Sequence, residues 1–282
     1  MLNHTAALPA LRDPVKPDGF LDWDYMIERL SAEKPFWEPG SRNGYHMITF
    51  GWTVGELVRR VSGMSLGQFF QKEIAGPTNA EVWLGLPEAL EPRVSKIFMN
   101  KPDPNAPISD FVKGLIASPE SIQCLATVNM GGWDVNSQKG RAAEIGGGGG
   151  ISNARGLSRM FIPLSNQGFC EGKQIFKNET IATMGKVSVE TDQDMTLLIP
   201  TRFALGFMKG VDNRNESPGN QDSSIIGENA FGHIGAGVSF VFADPDYGVS
   251  MAYTMNKMGP GLMMNDRGQP LVDSIYGALK KA

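Results

Sequence analysis

The 282-residue chain is predicted to fold as a single α+β domain. A mainly helical and loop-rich lobe covers residues 1–200, and an antiparallel sheet with a C-terminal helix covers 201–282. Three observations predict this. Apolar residues recur at helical spacing through the first part of the chain, and the period falls to two from about Thr201. The strands also gather at one end, where a βαβ chain would interleave them with helices.

Taken in order, residues 1–45 are rich in proline and turn residues, with one short helix expected over Asp22–Leu30, placing Trp23, Met26, Ile27 and Leu30 on one face. The next helix is expected to open on a capping box at Thr53-Val-Gly-Glu56, to bury Val54, Leu57, Val58 and Val61, and to stop at Gly63. A second capping box, Ser65-Leu-Gly-Gln68, opens a helix that ends at Gly76-Pro77. Six prolines between Pro77 and Pro107 predict a surface excursion with little regular structure. A short helix at Asp110–Ala117 follows, and then a glycine run, Gly146–Gly150, read as a flexible connection. It leads to a helix from about Asn153 that Pro163 should end or kink. In the β part, Phe203–Met208 and Phe231–Ala243 each read as one strand. Asp244-Pro-Asp-Tyr-Gly248 reads as a turn, and Val249, Met251, Tyr253 and Met255 alternate on the strand after it. The closing helix from about Pro270 should face Leu271, Ile275 and Leu279 inward, with Lys280-Lys281 suiting its C-terminal dipole.

Composition excludes several classes. A net charge of −4 and the absence of basic runs argue against nucleic-acid and anionic-membrane partners. No apolar stretch reaches the length of a membrane span, and no signal peptide is legible, so a cytoplasmic location is expected. Cys124 and Cys170 fit free thiols better than a bridge. The three histidines form no metal-ligand spacing, and no metal or other cofactor is expected.

Two nucleophile motifs fail on context. Gly63-Met-Ser65-Leu-Gly67 has the Gly-x-Ser-x-Gly spacing but follows a helix, where the motif needs a strand-to-helix elbow, and Ser65 already serves as an N-cap. Ser31-Ala-Glu-Lys34 has the Ser-x-x-Lys spacing, which needs a helical turn, yet Pro35 disfavours helix at Lys34. Tyr45-His46 and His233-Ile234-Gly235-Ala236 remain, and as isolated residues either pair could be structural.

Several segments together resemble one family. Leu2-Asn-His-Thr-Ala-Ala-Leu-Pro9 resembles its "LLxHTSGLP" segment, and Trp37-Glu-Pro-Gly40, Tyr45-His46 and Thr49-Phe-Gly-Trp52 resemble "WxPG…YH..TxGW". Ala154-Arg-Gly-Leu157, Phe231-Gly-His-Ile-Gly-Ala-Gly237 and Met255-Asn-Lys-Met258 continue in the expected order. The family is the β-lactamase-related serine hydrolases, which include class C β-lactamases, family VIII esterases and D-amino-acid peptidases. The resemblance implies a β-lactamase/transpeptidase-like fold whose first strands are missing here, leaving the Val249–Met255 strand as a bare edge open to self-association.

By the same resemblance Tyr45 is the proton-shuttling tyrosine and His233 the pocket Lys/His. His46, Ile234, Gly235 and Ala236 are placed at the substrate, with the Ala236 N–H as one oxyanion donor. Departures are Met47 at the Asn of Tyr-x-Asn, Ile234 for the common Thr, and Ala6-Ala7 for Ser-Gly. The family's Ser-x-x-Lys has no counterpart in these residues. The expected activity is ester or amide hydrolysis of a small molecule through an acyl-enzyme in a full-length parent, with this chain inactive alone. The alternatives are a non-catalytic pseudo-enzyme acting as a binding or assembly module, or a hydrolase using Ser65 or Ser31.

Overall fold

The computed structural model describes residues 1–264 and 266–280. In the first part of the chain Asp22 caps α1 (Trp23–Ala32) by accepting the Tyr25 N–H. Helix α2 spans Thr49–Ser62, and Gly63 ends it in the left-handed conformation. Helix α3 (Leu66–Phe70) opens on the Ser65/Gln68 capping box and runs on as a π-helical turn over Gln71–Ala75. Three short helices follow: α4 (Asp110–Ala117), α5 (Ile122–Val128) and α6 (Gln138–Ala142). Helix α7 (Ala154–Ser165) is capped by Asn153 and α8 spans Asn178–Gly185.

Two small ribbons sit among these helices, β1 (Val82–Trp83) with β2 (Ile151–Ser152) and β3 (Phe169–Cys170) with β4 (Lys173–Gln174). The main sheet comprises β5 (Val189–Thr191), β6 (Thr201–Phe203), β7 (Met208–Lys209), β8 (Phe231–Ile234), β9 (Phe240–Asp244) and β10 (Val249–Tyr253). Every neighbour pair is antiparallel, in the order β10-β9-β8-β7-β6-β5, which leaves β10 at one edge. Two-residue alternation sorts the side chains of β8 and β9 onto two covered faces. Phe231, Val241 and Ala243 pack on Phe161 and Leu164 of α7. Ile234, Phe240 and Phe242 pack on Val272 and Tyr276 of the closing helix α9 (Gln269–Leu279). A separate core holds the helical part together, built on Phe20, Met26, Leu30, Trp52 and Ile145. No helix among the described residues is long and apolar enough to cross a membrane.

Several local expectations are corrected by packing. Helix α2 begins at Thr49, so Thr53 lies inside it and bonds back to the Thr49 carbonyl. Its buried face is Thr49, Gly51, Trp52, Gly55 and Glu56, whereas Leu57 is 57% and Val61 88% exposed. The reason is a close backbone crossing: a Cβ on Gly51 would meet the Gly147 nitrogen at 2.2 Å. Gly146–Gly150 is therefore a packed contact against the start of α2, where it was expected to be a flexible connection. Glu56 accepts from Trp23 Nε1, Arg59 and Arg60 and plays no part in a capping box.

Each expected long strand is a hairpin. Phe203–Met208 breaks at Gly206, held at φ +85 in a turn that glycine adopts without steric cost. Phe231–Ala243 breaks at Gly235–Ser239, with the Gly235 N–H donating to the Ser239 carbonyl at 2.8 Å. In α9, Leu271 points to solvent and Val272 takes the core position. Pro77–Pro107 holds β1 and a 3-10 turn at Glu88–Arg93. The sheet begins at Val189, inside the stretch expected to be helical, and α7 serves it as a covering layer. Lys281 lies outside the described residues.

Candidate active site

Tyr45 lies in the turn before α2 and His233 on β8, 188 residues away in sequence. The fold brings Tyr45 Oη to 3.3 Å from His233 Nε2. A backbone partner assigns the tautomer of the neutral His233 ring. His233 Nδ1 faces the Ile234 carbonyl at 3.0 Å, which can only accept, so Nδ1 carries the proton. Nε2 is left as an acceptor, and the Tyr45 hydroxyl donates to it.

The other two histidines support the tyrosine. His4 meets the Tyr45 ring edge-on at 4.9 Å between centroids, and the His4 Nδ1 accepts the His46 N–H at 3.2 Å. The phenol ring also stacks on Phe203, which is completely buried and meets His4 at 4.6 Å between centroids. Below the ring, the Tyr45 N–H donates to both oxygens of Asp194, each at 3.0 Å. Asp194 also accepts the Thr196 and Leu197 N–H groups at 2.8 and 2.9 Å.

Burial sets the electrostatics. It pushes the Tyr45 phenol well above its ordinary value, and the Asp194 carboxylate pushes it the same way. Burial lowers His233, with the Ile234 carbonyl partly offsetting. It lowers His46 to about 4 and His4 well below the usual imidazole range, where His46 and His233 add to the effect. At neutral pH the site therefore holds a neutral phenol hydrogen-bonded to a neutral imidazole.

The substrate-side residues divide. Gly235 and Ala236 are exposed at the hairpin tip, and the Ala236 N–H has no acceptor among the described residues. Ile234 faces the core beneath the sheet. His46 is wholly buried: its Nε2 accepts the Leu8 N–H at 3.0 Å and its Nδ1 meets the Gly44 carbonyl at 2.7 Å. The expectation of a substrate contact at His46 thus finds no free nitrogen, because both are used to fold the Gly44–Tyr45 turn.

Ser65 caps α3 and donates to Glu144 at 2.7 Å, while Ser31 and Lys34 are exposed at the end of α1. Cys124 and Cys170 are free thiols. A cavity of about 270 Å³ lies away from Tyr45, among Trp23, Trp52, Ser65 and Glu144. Asp194 and Phe203 escaped the sequence reading, as did any role for His4. Asp194 had one local signal, an acidic side chain two and three residues before the amides it accepts.

The family model for β-lactamase matches residues 1–271. The chain belongs to the β-lactamase family. Within that family it is 30% identical over 295 residues to the esterase/β-lactamase LipL of Mycobacterium tuberculosis, covering 100% of this chain and 63% of LipL. The chain therefore spans less than two thirds of the length of that curated relative. A family VIII carboxylesterase superposes with a TM-score of 0.78 at 31% identity, covering 98% of this chain and 69% of the other. A penicillin-binding protein homologue from Caulobacter crescentus gives 0.81 at 29% identity, covering 98% and 70%. These two solved structures share the mixed helical and antiparallel-sheet architecture described above.

Proposed function

We propose that this chain supplies the tyrosine and histidine of a serine ester- or amide-hydrolase site, and that an acyl-enzyme forms on a serine outside these residues. One observation carries the reading: Tyr45 Oη, from the helical part, lies 3.3 Å from His233 Nε2, on the sheet. Membership of a family that includes an esterase/β-lactamase and a family VIII carboxylesterase supports it.

The proton path follows from the tautomers. A phenol raised by burial is a poor phenolate, so Tyr45 works as a neutral relay. As the serine oxygen attacks the substrate carbonyl, Tyr45 takes the serine proton on Oη and passes its own to His233 Nε2. When the tetrahedral intermediate collapses, the same path runs in reverse and protonates the leaving group. The Ala236 N–H at the exposed hairpin tip is one donor to the developing oxyanion. The substrate is a small ester or amide that reaches this tip from solvent.

The chain alone is expected to leave p-nitrophenyl acetate and nitrocefin unhydrolysed above background. Turnover by the pure chain that Tyr45→Phe abolishes would contradict the need for an outside serine. The coding sequence upstream of Met1 is the complementary check, with an in-frame Ser-x-x-Lys expected.

The open edge at β10 favours a second reading, a binding module that pairs through that strand. Under this reading the chain self-associates, and Ser250→Pro on β10 returns it to a monomer in sedimentation.

A further inference from the structure

Asp194 is completely buried and takes part in none of the ion pairs among the described residues. Its neighbours are the N–H groups of Tyr45, Thr196 and Leu197, with the Thr201 hydroxyl also in reach. A carboxylate without a cation is an expensive group to bury. A neutral side chain could tie this loop with a single acceptor oxygen. Only a carboxylate meets one N–H with both oxygens while accepting two more.

We propose that Asp194 is a positioning residue for Tyr45, gripping the Tyr45 amide with both carboxylate oxygens so that the phenol is aimed at His233. The loop that carries it is fastened independently. The Met195 N–H donates to the Asn43 carbonyl at 3.0 Å, and Gln123 Nε2 donates to the Met195 and Thr196 carbonyls at 3.0 and 2.9 Å. The loop thus has fastenings besides Asp194, and of the three amides that the carboxylate accepts only that of Tyr45 lies outside the loop. With the amide gripped from below, the ring stacks on Phe203 and its hydroxyl meets His233 Nε2 at 3.3 Å. The titratable groups facing Tyr45 are Asp194, His233 and His4. Asp194 is the acidic one, and its negative charge keeps the hydroxyl protonated as a donor.

The inference rests on Tyr45 and His233 being the reacting pair, but its test reads their hydrogen bond and needs no turnover. Either can therefore fail without the other. In the 282-residue chain, the ¹⁵N resonance of His233 Nε2 reports that bond, and Tyr45→Phe fixes the position it takes without one. Asp194→Asn should move the resonance most of the way to the Tyr45→Phe position. Gln123→Ala, which loosens the same loop without touching Tyr45, should leave it near the wild-type position. No movement in folded Asp194→Asn, or equal movement in both variants, overturns the proposal. Should Asp194→Asn fail to fold, the wild-type chain decides: a scalar coupling across the hydrogen bond from Tyr45 N to Asp194 Cγ supports the grip, and its absence with rapid exchange of that amide overturns it.

Discussion

The two halves of the site are held in opposite ways. Tyr45 is fixed from several directions: its amide by Asp194, its ring by Phe203 and His4, and its neighbour His46 by Leu8 and Gly44. His233 stands at the end of β8 beside a hairpin whose tip, Gly235 and Ala236, is open to solvent. Two backbone bonds close that tip, from the Gly235 N–H to the Ser239 carbonyl at 2.8 Å and from the Val238 N–H to the Gly235 carbonyl at 3.0 Å, and Val238 is held at φ +79. A β-branched residue in the left-handed region costs about 1–2 kcal/mol. The tyrosine half is thus over-determined, whereas the hairpin half holds a strained Val238 beside an N–H without an acceptor among the described residues.

The largest effect on this contrast should come from the shared support of the tyrosine. Phe203 is wholly buried against both Tyr45 and His4. Phe203→Ala should cost about 3–5 kcal/mol by cavity formation, read from urea denaturation. If the loss is below about 1 kcal/mol, the tyrosine side is not the rigid half.

Acid is the next lever. His46 titrates near 4 in the folded chain against an ordinary 6.5. Above pH 6.5 both states are neutral at this residue and it contributes nothing to the pH dependence. As the pH falls from 6.5 toward 4, the unfolded chain takes up a proton that the native chain refuses, and stability is lost. At roughly 1.4 kcal/mol per pH unit, the window of about 2.5 units amounts to roughly 3 kcal/mol. His4 and His233, also lowered by burial, add in the same direction. Asp194, raised by burial, binds its proton more readily when folded and opposes the loss at the acid end. Urea midpoints measured between pH 7 and 4 check the slope. His233→Gln removes the hairpin's share, and the larger part of the slope should survive, since His4 and His46 lie on the tyrosine side.

Much of this was legible in the sequence where the signal was local. The Ser65/Gln68 capping box, the Gly63 stop, the α4 helix and the turn at Asp244–Gly248 depend on neighbours a few residues apart. The pairing of Tyr45 with His233 was legible only through family resemblance, since no spacing rule links positions 188 apart. The misplaced start of α2 and the misread Gly146–Gly150 share a cause, a backbone crossing between distant segments that outweighs the capping preference of Thr53. His46 was misplaced because adjacency to Tyr45 along the chain says nothing about which way a ring turns in a tight bend. Asp194 went unnoticed because its partner amide is 149 residues away.

The finest test concerns the single bond that joins the halves. Tyr45→Phe removes the hydroxyl that donates to His233 Nε2 and nothing else of the ring packing, since Phe203 and His4 touch the ring and not the oxygen's hydrogen. At 3.3 Å this is a long O–H···N contact, and both rings are half-buried, so the net cost should be about 1 kcal/mol or less. The informative change is on the imidazole. A donor to Nε2 favours the neutral ring, so its removal lets His233 protonate more readily, and an NMR titration of the His233 Cε1 proton should move to higher pH. His46, on the far side of the turn with its own bonds to Leu8 and Gly44, should titrate as before. Movement of His46 together with His233 would mean that the phenol hydroxyl organises the whole histidine cluster, and the division into a rigid relay and a free hairpin would then be drawn in the wrong place.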